Sequence, residues 1–344
     1  MCGISGFFSP SRKFTESDLQ QMTQVLYHRG PDAEGYFFDG ICGLGHRRLS
    51  ILDLSENANQ PMFSQSFLTD DRGARESRFV IVFNGEVYNF QEVAKGLDVK
   101  LKTSCDTEVI LEAFVQKGID FVHELNGMFA LAIYDKQKQI LYLLRDRIGI
   151  KPLYYFWDGQ NLAFASELKS LIGLSQLDKQ ICQEAICDFL HLGYIPAPKS
   201  IYQNIFKLPP GNWLIVSKKG LKLKKYWCLK DKISHKTLTH ETEAKEQLHN
   251  LLQTAVKYRL ISDVPLGIFL SGGIDSSLVT ALAANLSSQK VKTFSIGFKE
   301  SKFNESEFAK KVAHHLGTNH QEFIISTGDA KKLIPDLINI YDEP

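Results

Sequence analysis

The second residue of the chain is a cysteine, and this position gives it a reactive setting. Removal of Met1 would leave Cys2 with a thiol and a free α-amine on the same residue. A thiolate is a strong nucleophile, and an α-amine with a pKa of roughly 7.7–8.0 is partly neutral, so that it can act as a base. Gly3 allows the backbone to pass close to a substrate. We therefore expect Cys2 to act as a nucleophile; a cysteine without any role is the alternative.

A second group of polar residues follows a predicted buried strand at 264–270. The run 271–277 reads Ser-Gly-Gly-Ile-Asp-Ser-Ser and precedes a predicted helix. Glycines let the backbone approach a phosphate, and N–H groups at a helix N-terminus bind anions. The run matches neither the lysine-containing P-loop motif nor the three-glycine dinucleotide motif. It predicts a phosphate site of another kind, with a capped turn as the alternative.

Composition excludes several classes of protein. The 344 residues carry a net charge of +1, which argues against nucleic acid or an anionic membrane surface as the main partner. No apolar run approaches the ~18 residues of a membrane helix, and the N-terminus lacks the pattern of a secretory signal. The six cysteines form no Cys-x-x-Cys pair. We expect a globular protein of the reducing cytoplasm, with no nucleic-acid or membrane partner.

The first part of the chain has short strand patterns interrupted by two helical ones. Helices are predicted at 16–27 and 107–117, where apolar residues recur on one face. Runs rich in β-branched and aromatic residues predict strands at 35–38, 79–83, 129–134, 140–144 and 153–157. This order predicts an α+β domain of layered antiparallel sheets with helices over 2–215. A linker or hairpin is expected at 216–239.

From residue 240 onward strands and helices alternate. After a helix at 241–258, strands are predicted at 264–270, 291–298 and 321–325, with helices at 277–286 and 308–316 between them. This alternation is typical of a doubly wound parallel sheet. We therefore expect residues 240–344 to form a partial α/β domain.

Several polar residues of the first part have structural explanations when each is considered alone. Arg29 and Asp32 flank a Gly-Pro turn and could pair with each other. Asn84-Gly85 could form the corner of a hairpin, and Asp106 could cap the helix that follows it.

Taken together, these segments resemble the class II glutamine amidotransferases, whose glutaminase domain has an N-terminal nucleophile. The match extends from Cys2 to about residue 210, and its most specific parts are the Cys-Gly-Ile start, the Arg-Gly-Pro-Asp turn, Arg-Leu-Ser-Ile at 48–51 and Asn-Gly-Glu at 84–86. The resemblance implies that Cys2 attacks the side-chain amide of glutamine and that Asn84 and Gly85 form the oxyanion hole.

The same resemblance implies how glutamine would be bound. Arg48 would bind the α-carboxylate through its planar fork, and Asp106 would hold the α-ammonium. The full set of glutamine-binding residues implied by the resemblance is Arg48, Leu49, Ser50, Ile51, Leu52, Asn84, Gly85, Glu86 and Asp106.

The run 271–277 resembles the pyrophosphate loop of ATP pyrophosphatases, and the strand at 292–298 resembles the strand whose end lies near the adenine. The order of glutaminase and then pyrophosphate loop is that of the glutamine-hydrolysing asparagine synthetases. The resemblance implies ATP with Mg²⁺ held by Asp275, and glutamine and aspartate as the other substrates. The implied nucleotide-binding residues are Phe269, Ser271, Gly272, Gly273, Asp275, Ser276, Ser277 and Ile296.

The resemblance leaves two questions open. The acceptor carboxylate is expected to be aspartate, but relatives act on sugar uronic acids, and a remnant with glutaminase activity only is a further alternative. The chain ends at Tyr341-Asp342-Glu343-Pro344, where family members continue, so we expect a C-terminally truncated synthetase half. A homodimer is compatible with the sequence.

Overall fold

The computed structural model describes residues 1–69, 75–233, 240–299 and 304–344. The chain forms two compact units, one made of Met1–Ile233 with Asp342–Pro344 and the other of Ser234–Tyr341. The segment expected to be a linker or hairpin, 216–239, contains the end of a hairpin, and its residues 234–239 lie outside the described ones. Residues Gly220–Lys225 form a strand that pairs with Asn212–Ser217 and belongs to a sheet of the first unit.

The first unit contains fourteen strands and five α-helices among its described residues. The strands are β1 (Gly3–Phe8), β2 (Ala33–Phe38), β3 (Cys42–Arg48), β4 (Met62–Phe63), β5 (Phe67–Thr69), β6 (Arg75–Ser77), β7 (Phe79–Val87), β8 (Gly127–Asp135), β9 (Ile140–Arg145), β10 (Tyr154–Trp157), β11 (Leu162–Ala165), β12 (Ile205–Lys207), β13 (Asn212–Ser217) and β14 (Gly220–Lys225). The helices are α1 (Glu16–Gln24), α2 (Phe90–Ala94), α3 (Asp106–Lys117), α4 (Leu168–Ile172) and α5 (Gln183–Leu192).

Two six-stranded antiparallel sheets pack face to face. Their strand orders are β12-β10-β11-β1-β3-β2 and β14-β13-β9-β8-β7-β4. Side chains alternate along β7, so that Val80 and Val82 pack against Ile4 of the other sheet, while Ile81 lies in a separate core with Val109 of α3. A third core packs α1 against the outer face of the first sheet. The expected layered α+β fold is confirmed.

The second unit is built on a small parallel sheet. Its elements are α6 (Glu241–Arg259), β15 (Gly267–Phe269), α7 (Ile274–Leu286), β16 (Lys292–Phe298), α8 (Ser306–Leu316), β17 (Asn319–Ile325), α9 (Thr327–Lys332) and α10 (Leu337–Ile340). The sheet order is β15-β16-β17, with all pairs parallel. The expected partial α/β domain is thus observed.

Two predicted elements of the second unit differ from the structure. The strand expected at 264–270 is shorter, and it is not buried, because β15 lies at the edge of the sheet and Phe269 is 79% exposed. Helix α7 begins at Ile274 rather than at 277, so Asp275, Ser276 and Ser277 lie in its first turn. Among the described residues, no helix has the length and apolar character needed to cross a membrane.

Candidate functional site

Cys2 lies at the start of β1, next to the end of β3. Antiparallel pairing of Gly3 with Arg47 brings Leu49, the residue that follows β3, close to the Cys2 thiol. The Leu49 N–H lies 3.4 Å from the Cys2 Sγ, and the Sγ lies 3.6 Å from the Leu49 carbonyl oxygen. A side chain at position 3 would meet the Cβ of Leu26 at 2.9 Å, so the glycine lets the segment that follows helix α1 pack tightly against β1.

The environment of Cys2 disfavours charge on the thiol and on the adjacent amine. Burial raises the pKa of the Cys2 thiol, while the Leu49 N–H opposes this change. Burial also lowers the pKa of the α-amine of Met1, and the charges of Arg29 and Lys151 lower it further.

Arg29 fixes the backbone of Cys2. Its Nε donates to the Cys2 carbonyl oxygen at 2.9 Å, and its Nη1 donates to Glu167 Oε1 at 2.7 Å. The alternative in which Arg29 pairs with Asp32 is wrong, because the Asp32 carboxylate instead accepts the Ser50 N–H at 2.8 Å.

A pocket opens beside the Cys2 thiol. It includes seven of the predicted glutamine-binding positions together with the nucleophile. The lining residues are Cys2, Arg48, Leu49, Ile51, Leu52, Ala58, Gln60, Phe83, Gly85, Glu86, Cys105, Asp106 and Thr107. Ser50 and Asn84 are not in this lining, although each is adjacent in sequence to a residue that is.

Asn84 and Gly85 lie within β7 and not at a hairpin corner, because β7 continues to Val87 in unbroken pairing with β8. The Asn84 side chain is fully buried, and neither its amide nitrogen nor its amide oxygen has a hydrogen-bond partner within the described parts of the chain. A buried amide without a partner is costly, so this side chain calls for an explanation beyond packing. A Cβ at Gly85 would lie 2.3 Å from the Met128 carbonyl oxygen, so only glycine fits there.

Two carboxylates share the far side of the pocket. Asp106 lies at the first position of α3 and accepts the Val87 N–H at 2.9 Å. Burial raises the pKa of both Asp106 and Glu86, and the charge of Asp106 raises that of Glu86 further. Two crowded carboxylates form a site that a cationic group would stabilise.

Arg48 is engaged by the loop that follows it. Its Nη1 donates to the Ser55 carbonyl oxygen at 2.8 Å and to Asn59 Oδ1 at 2.7 Å, while its Nη2 donates to the carbonyl oxygens of Leu52 and Asp53. The side chain is almost fully buried. The guanidinium therefore organises the loop of the pocket through both of its Nη groups.

Sequence reasoning missed several residues of the site. Gln60 accepts the Phe83 N–H at 2.6 Å and donates to Thr107 Oγ1 at 3.2 Å, which ties β7 to α3 across the pocket. Lys151 is buried close to the chain start. The segment 145–155, which contains Lys151, resembles the same family, but its sequence carries no information about the distance from Lys151 to the chain start.

The run 271–277 forms the turn from β15 into α7. Gly272 has a φ of +83°, and a Cβ there would lie 2.5 Å from the Ala309 nitrogen, so glycine is required. The hydroxyls of Ser271 and Ser276 lie 3.0 Å apart. A cavity next to the turn is lined by Phe269, Leu270, Ser271, Phe294, Ser295, Ile296, Glu305 and Ser306.

This second cavity contains only part of the predicted nucleotide site. Phe269, Ser271 and Ile296 line it, whereas Gly272, Gly273, Asp275, Ser276 and Ser277 do not. In the described part of the chain, no group of three or more His, Cys, Asp or Glu residues could hold a metal ion. The exposed Asp275 carboxylate fits the usual manner of Mg²⁺ binding, in which one or two carboxylates act together with phosphates of the substrate.

Two family models match successive parts of the chain. Residues 1–227 match the family model of the glutamine amidotransferase domain, and residues 247–344 match that of asparagine synthase. A putative glutamine-hydrolysing asparagine synthetase of Methanocaldococcus jannaschii is 39% identical over 100% of this chain and 68% of its own length. The chain belongs to the glutamine-hydrolysing asparagine synthetase family. The resemblance stated from the motifs is confirmed.

Other relatives in this family are longer than the chain. The asparagine synthetase 1 of Bacillus subtilis is 35% identical over 100% of this chain but only 53% of its own length. The chain thus spans about half the length of this relative. Among solved structures, a glutamine phosphoribosylpyrophosphate amidotransferase of B. subtilis matches 97% of this chain at 16% identity, with a TM-score of 0.46.

Proposed function

We propose that this protein hydrolyses glutamine at Cys2 and transfers the ammonia to an ATP-activated aspartate, giving asparagine, glutamate, AMP and pyrophosphate. The observation that supports this most is the buried Asn84 amide without a partner, next to the pocket that contains the Cys2 thiol. An unsatisfied donor beside a nucleophile is what acyl transfer requires. Relatives across the whole chain carry the name of this activity.

The hydrolysis begins when the α-amine of Cys2, free after loss of Met1, takes the thiol proton. The thiolate then attacks the side-chain amide carbon of glutamine, and the developing oxyanion accepts hydrogen bonds from Asn84 Nδ2 and the Gly85 N–H. The amine returns its proton to the leaving nitrogen, which departs as ammonia. Water, deprotonated by the same amine, hydrolyses the glutamyl thioester and restores the thiol.

Glutamine would be oriented by the charges at its other end. Its α-ammonium would lie between Glu86 and Asp106, whose shared burial otherwise leaves two crowded carboxylates. Its α-carboxylate would bind Arg48 in place of one loop carbonyl oxygen. The segment from Leu49 to Leu52 would close over the substrate, with Ser50 held by Asp32.

The second unit would bind ATP. The backbone N–H groups and hydroxyls of 271–277 suit the β- and γ-phosphates that leave as pyrophosphate. Asp275 would hold the Mg²⁺ that accompanies them, and this ion would neutralise phosphate charge as the aspartate carboxylate attacks the α-phosphate. Phe269 and Ile296 would contact the nucleoside from the cavity beside the loop.

All six cysteines are free thiols, which supports a reducing cytoplasm as the compartment.

The glutaminase half is tested with the purified chain. We expect the intact mass to lack Met1, and we expect glutamate release from glutamine to disappear in Cys2→Ala and to persist in the control Cys187→Ala, which changes an exposed thiol. Full activity in Cys2→Ala, or full activity in a chain that retains Met1, would overturn the proposal.

For the synthetase half, aspartate-dependent release of AMP by the full-length gene product is expected. AMP release that depends on a uronic acid and not on aspartate would show that the acceptor is wrong.

A further inference from the structure

The residues that follow β11 hold the start of β1. The regular pairing of the two strands ends opposite Ser5. Beyond that point Ser166 binds Ile4 twice, because its N–H donates to the Ile4 carbonyl oxygen at 2.8 Å and its Oγ accepts the Ile4 N–H at 3.0 Å. The first turns of the chain are therefore fixed by a segment more than 150 positions away.

Glu167, the next residue, reaches the backbone of Cys2 through Arg29. The Arg29 Nη1 donates to Glu167 Oε1 at 2.7 Å, while its Nε donates to the Cys2 carbonyl oxygen at 2.9 Å. Among the residues that the structure describes, Glu167 is the one carboxylate that forms an ion pair with Arg29. The guanidinium is planar and rigid, so an acceptor that holds Nη1 also fixes the direction of Nε.

Two further basic side chains contact Glu167. His28 Nε2 lies 2.9 Å from Glu167 Oε2, and Lys169 Nζ lies 3.2 Å from the same oxygen. Lys169 is also paired with Asp342 at 3.3 Å. The Glu167 carboxylate is thus surrounded by three basic groups, which hold it in place beside Arg29.

We propose that Glu167 is a positioning residue for glutamine hydrolysis, which acts through Arg29 on the peptide group that carries the nucleophile. This inference rests on the proposed glutaminase function. Once Met1 is lost, the α-amine and the thiol of Cys2 are joined to the rest of the chain only through the bond from the Cα to the carbonyl carbon. The contact from Arg29 is to the Cys2 carbonyl oxygen, which the loss of Met1 leaves in place. A hydrogen bond there helps to align both reactive groups with the oxyanion hole.

The first test is steady-state kinetics of glutamine hydrolysis in Glu167→Gln. The amide keeps the size of the side chain but removes the charge that holds Arg29, so the thiol and the amine lose their alignment. We expect kcat to fall by about 10- to 100-fold. KM should change little, because the residues proposed to bind the charged ends of glutamine are untouched.

A matched control is Asp135→Asn, which breaks another ion pair between an arginine and a carboxylate. Asp135 pairs with Arg78 at 2.8 Å, next to the first residue of β7, and neither residue lines the Cys2 pocket. This variant should lower the melting temperature and leave kcat unchanged. Glu167→Asp keeps the charge on a shorter side chain, so its kcat should lie between those of Glu167→Gln and wild type.

A double variant shows whether Glu167 acts through Arg29. Arg29→Lys keeps the positive charge but loses the planar fork that joins the two acceptors. Adding Glu167→Gln to Arg29→Lys should lower kcat little further, because the link is already broken. Two losses that multiply would show that Glu167 acts by another route and would overturn the proposal.

Alkylation of Cys2 by iodoacetamide, measured on the Cys2 peptide by mass spectrometry, separates positioning from a loss of folded structure. The reaction releases iodide and does not use the oxyanion hole, so its rate in Glu167→Gln should stay close to that of wild type. Much faster alkylation would show that the start of β1 has opened, and an unchanged kcat would show that Glu167 has no part in the reaction; either result would overturn the proposal. A wild-type chain that begins at Cys2 and hydrolyses no glutamine would instead refute the proposed function, so the two failures are distinguishable.

Discussion

The two candidate sites of the molecule are built in opposite ways. The pocket at Cys2 takes its side chains from the ends or middles of β1, β3, β7 and α3, all of which are packed into large cores. The turn at 271–277 instead presents backbone and hydroxyl groups, and Asp275 is exposed. A nucleophile and an oxyanion hole need positions fixed by surrounding packing, whereas a phosphate can be bound by the N–H groups of a turn. The difference predicts that single side chains matter most in the first unit.

The largest effect should come from the oxyanion hole of the first unit. If Asn84 donates to the oxyanion as proposed, its bond strengthens only as the oxyanion forms, so Asn84→Ala should lower kcat for glutamine hydrolysis by on the order of 10²–10³ with little change in KM. Steady-state kinetics measure this. The control Asn250→Ala, on α6 of the second unit, should leave both constants unchanged. A change confined to KM in Asn84→Ala would assign Asn84 to substrate binding instead.

A smaller effect on catalysis is expected from residues proposed to bind the charged ends of glutamine. Asp106→Ala and Arg48→Ala remove partners of the charged ends of glutamine, which are held equally in ground and transition states. KM should therefore rise by about 10- to 100-fold while kcat changes much less. If kcat falls as steeply as in Asn84→Ala and KM stays constant, these residues act on the reacting atoms rather than on the charged ends.

The motifs predicted most of the residues that line the pocket, whereas the strand patterns missed two of the strands that hold them. Cys2, Asn84 and Asp106 were identified from motifs, but β1 and β3 were not predicted as strands. Glycines are depleted in strands, and these two strands are rich in them. A Cβ at Gly45 would lie 2.0 Å from Thr23 Oγ1, so the reason for the glycine is contact with α1.

The remaining features of the site depend on contacts between residues distant in sequence. The Lys151 ammonium reaches Met1 across 150 positions, and Arg29 pairs with Glu167. Local sequence patterns do not show which residues far apart in the sequence come into contact. The hydrogen bonds from Arg48 to its own loop are local, yet they depend on a loop conformation that composition does not determine.

The crowded carboxylates of the first unit also predict a pH effect on stability. The folded-state pKa of Glu86 is raised above its unfolded value, so the folded protein keeps a proton that the unfolded chain releases, and stability falls as pH rises from about 4.5 to about 8. Glu86→Gln removes this loss. Its free energy of unfolding relative to wild type should increase across that range by on the order of a few kcal/mol.

Urea denaturation at several pH values measures this difference. The matched variant Glu76→Gln changes an exposed carboxylate paired with Lys136 and should show no such trend. A Glu86→Gln curve parallel to wild type at every pH would mean that Glu86 is not held in a destabilised ionised state.

The smallest effect should appear when the second unit is changed and the first is measured. Asp275→Asn removes the acidic side chain of the turn at 271–277. This turn belongs to the second unit, whereas the Cys2 pocket belongs to the first. Glutamine hydrolysis should be unchanged, because every residue that lines the Cys2 pocket lies in the first unit, while Mg·ATP binding measured by calorimetry should weaken. A large loss of glutaminase activity would show that the two sites are not separable.

The most direct test of the central claim is covalent labelling of the nucleophile. A diazoketone analogue of glutamine carries the α-amino and α-carboxylate groups and alkylates a thiolate held beside its ketone, with loss of nitrogen. We predict one added group per chain, mapped by peptide mass spectrometry to a peptide that begins at Cys2, and protection by excess glutamine. A label on exposed Cys187, or a chain that hydrolyses glutamine while Cys2 remains unlabelled, would contradict the account.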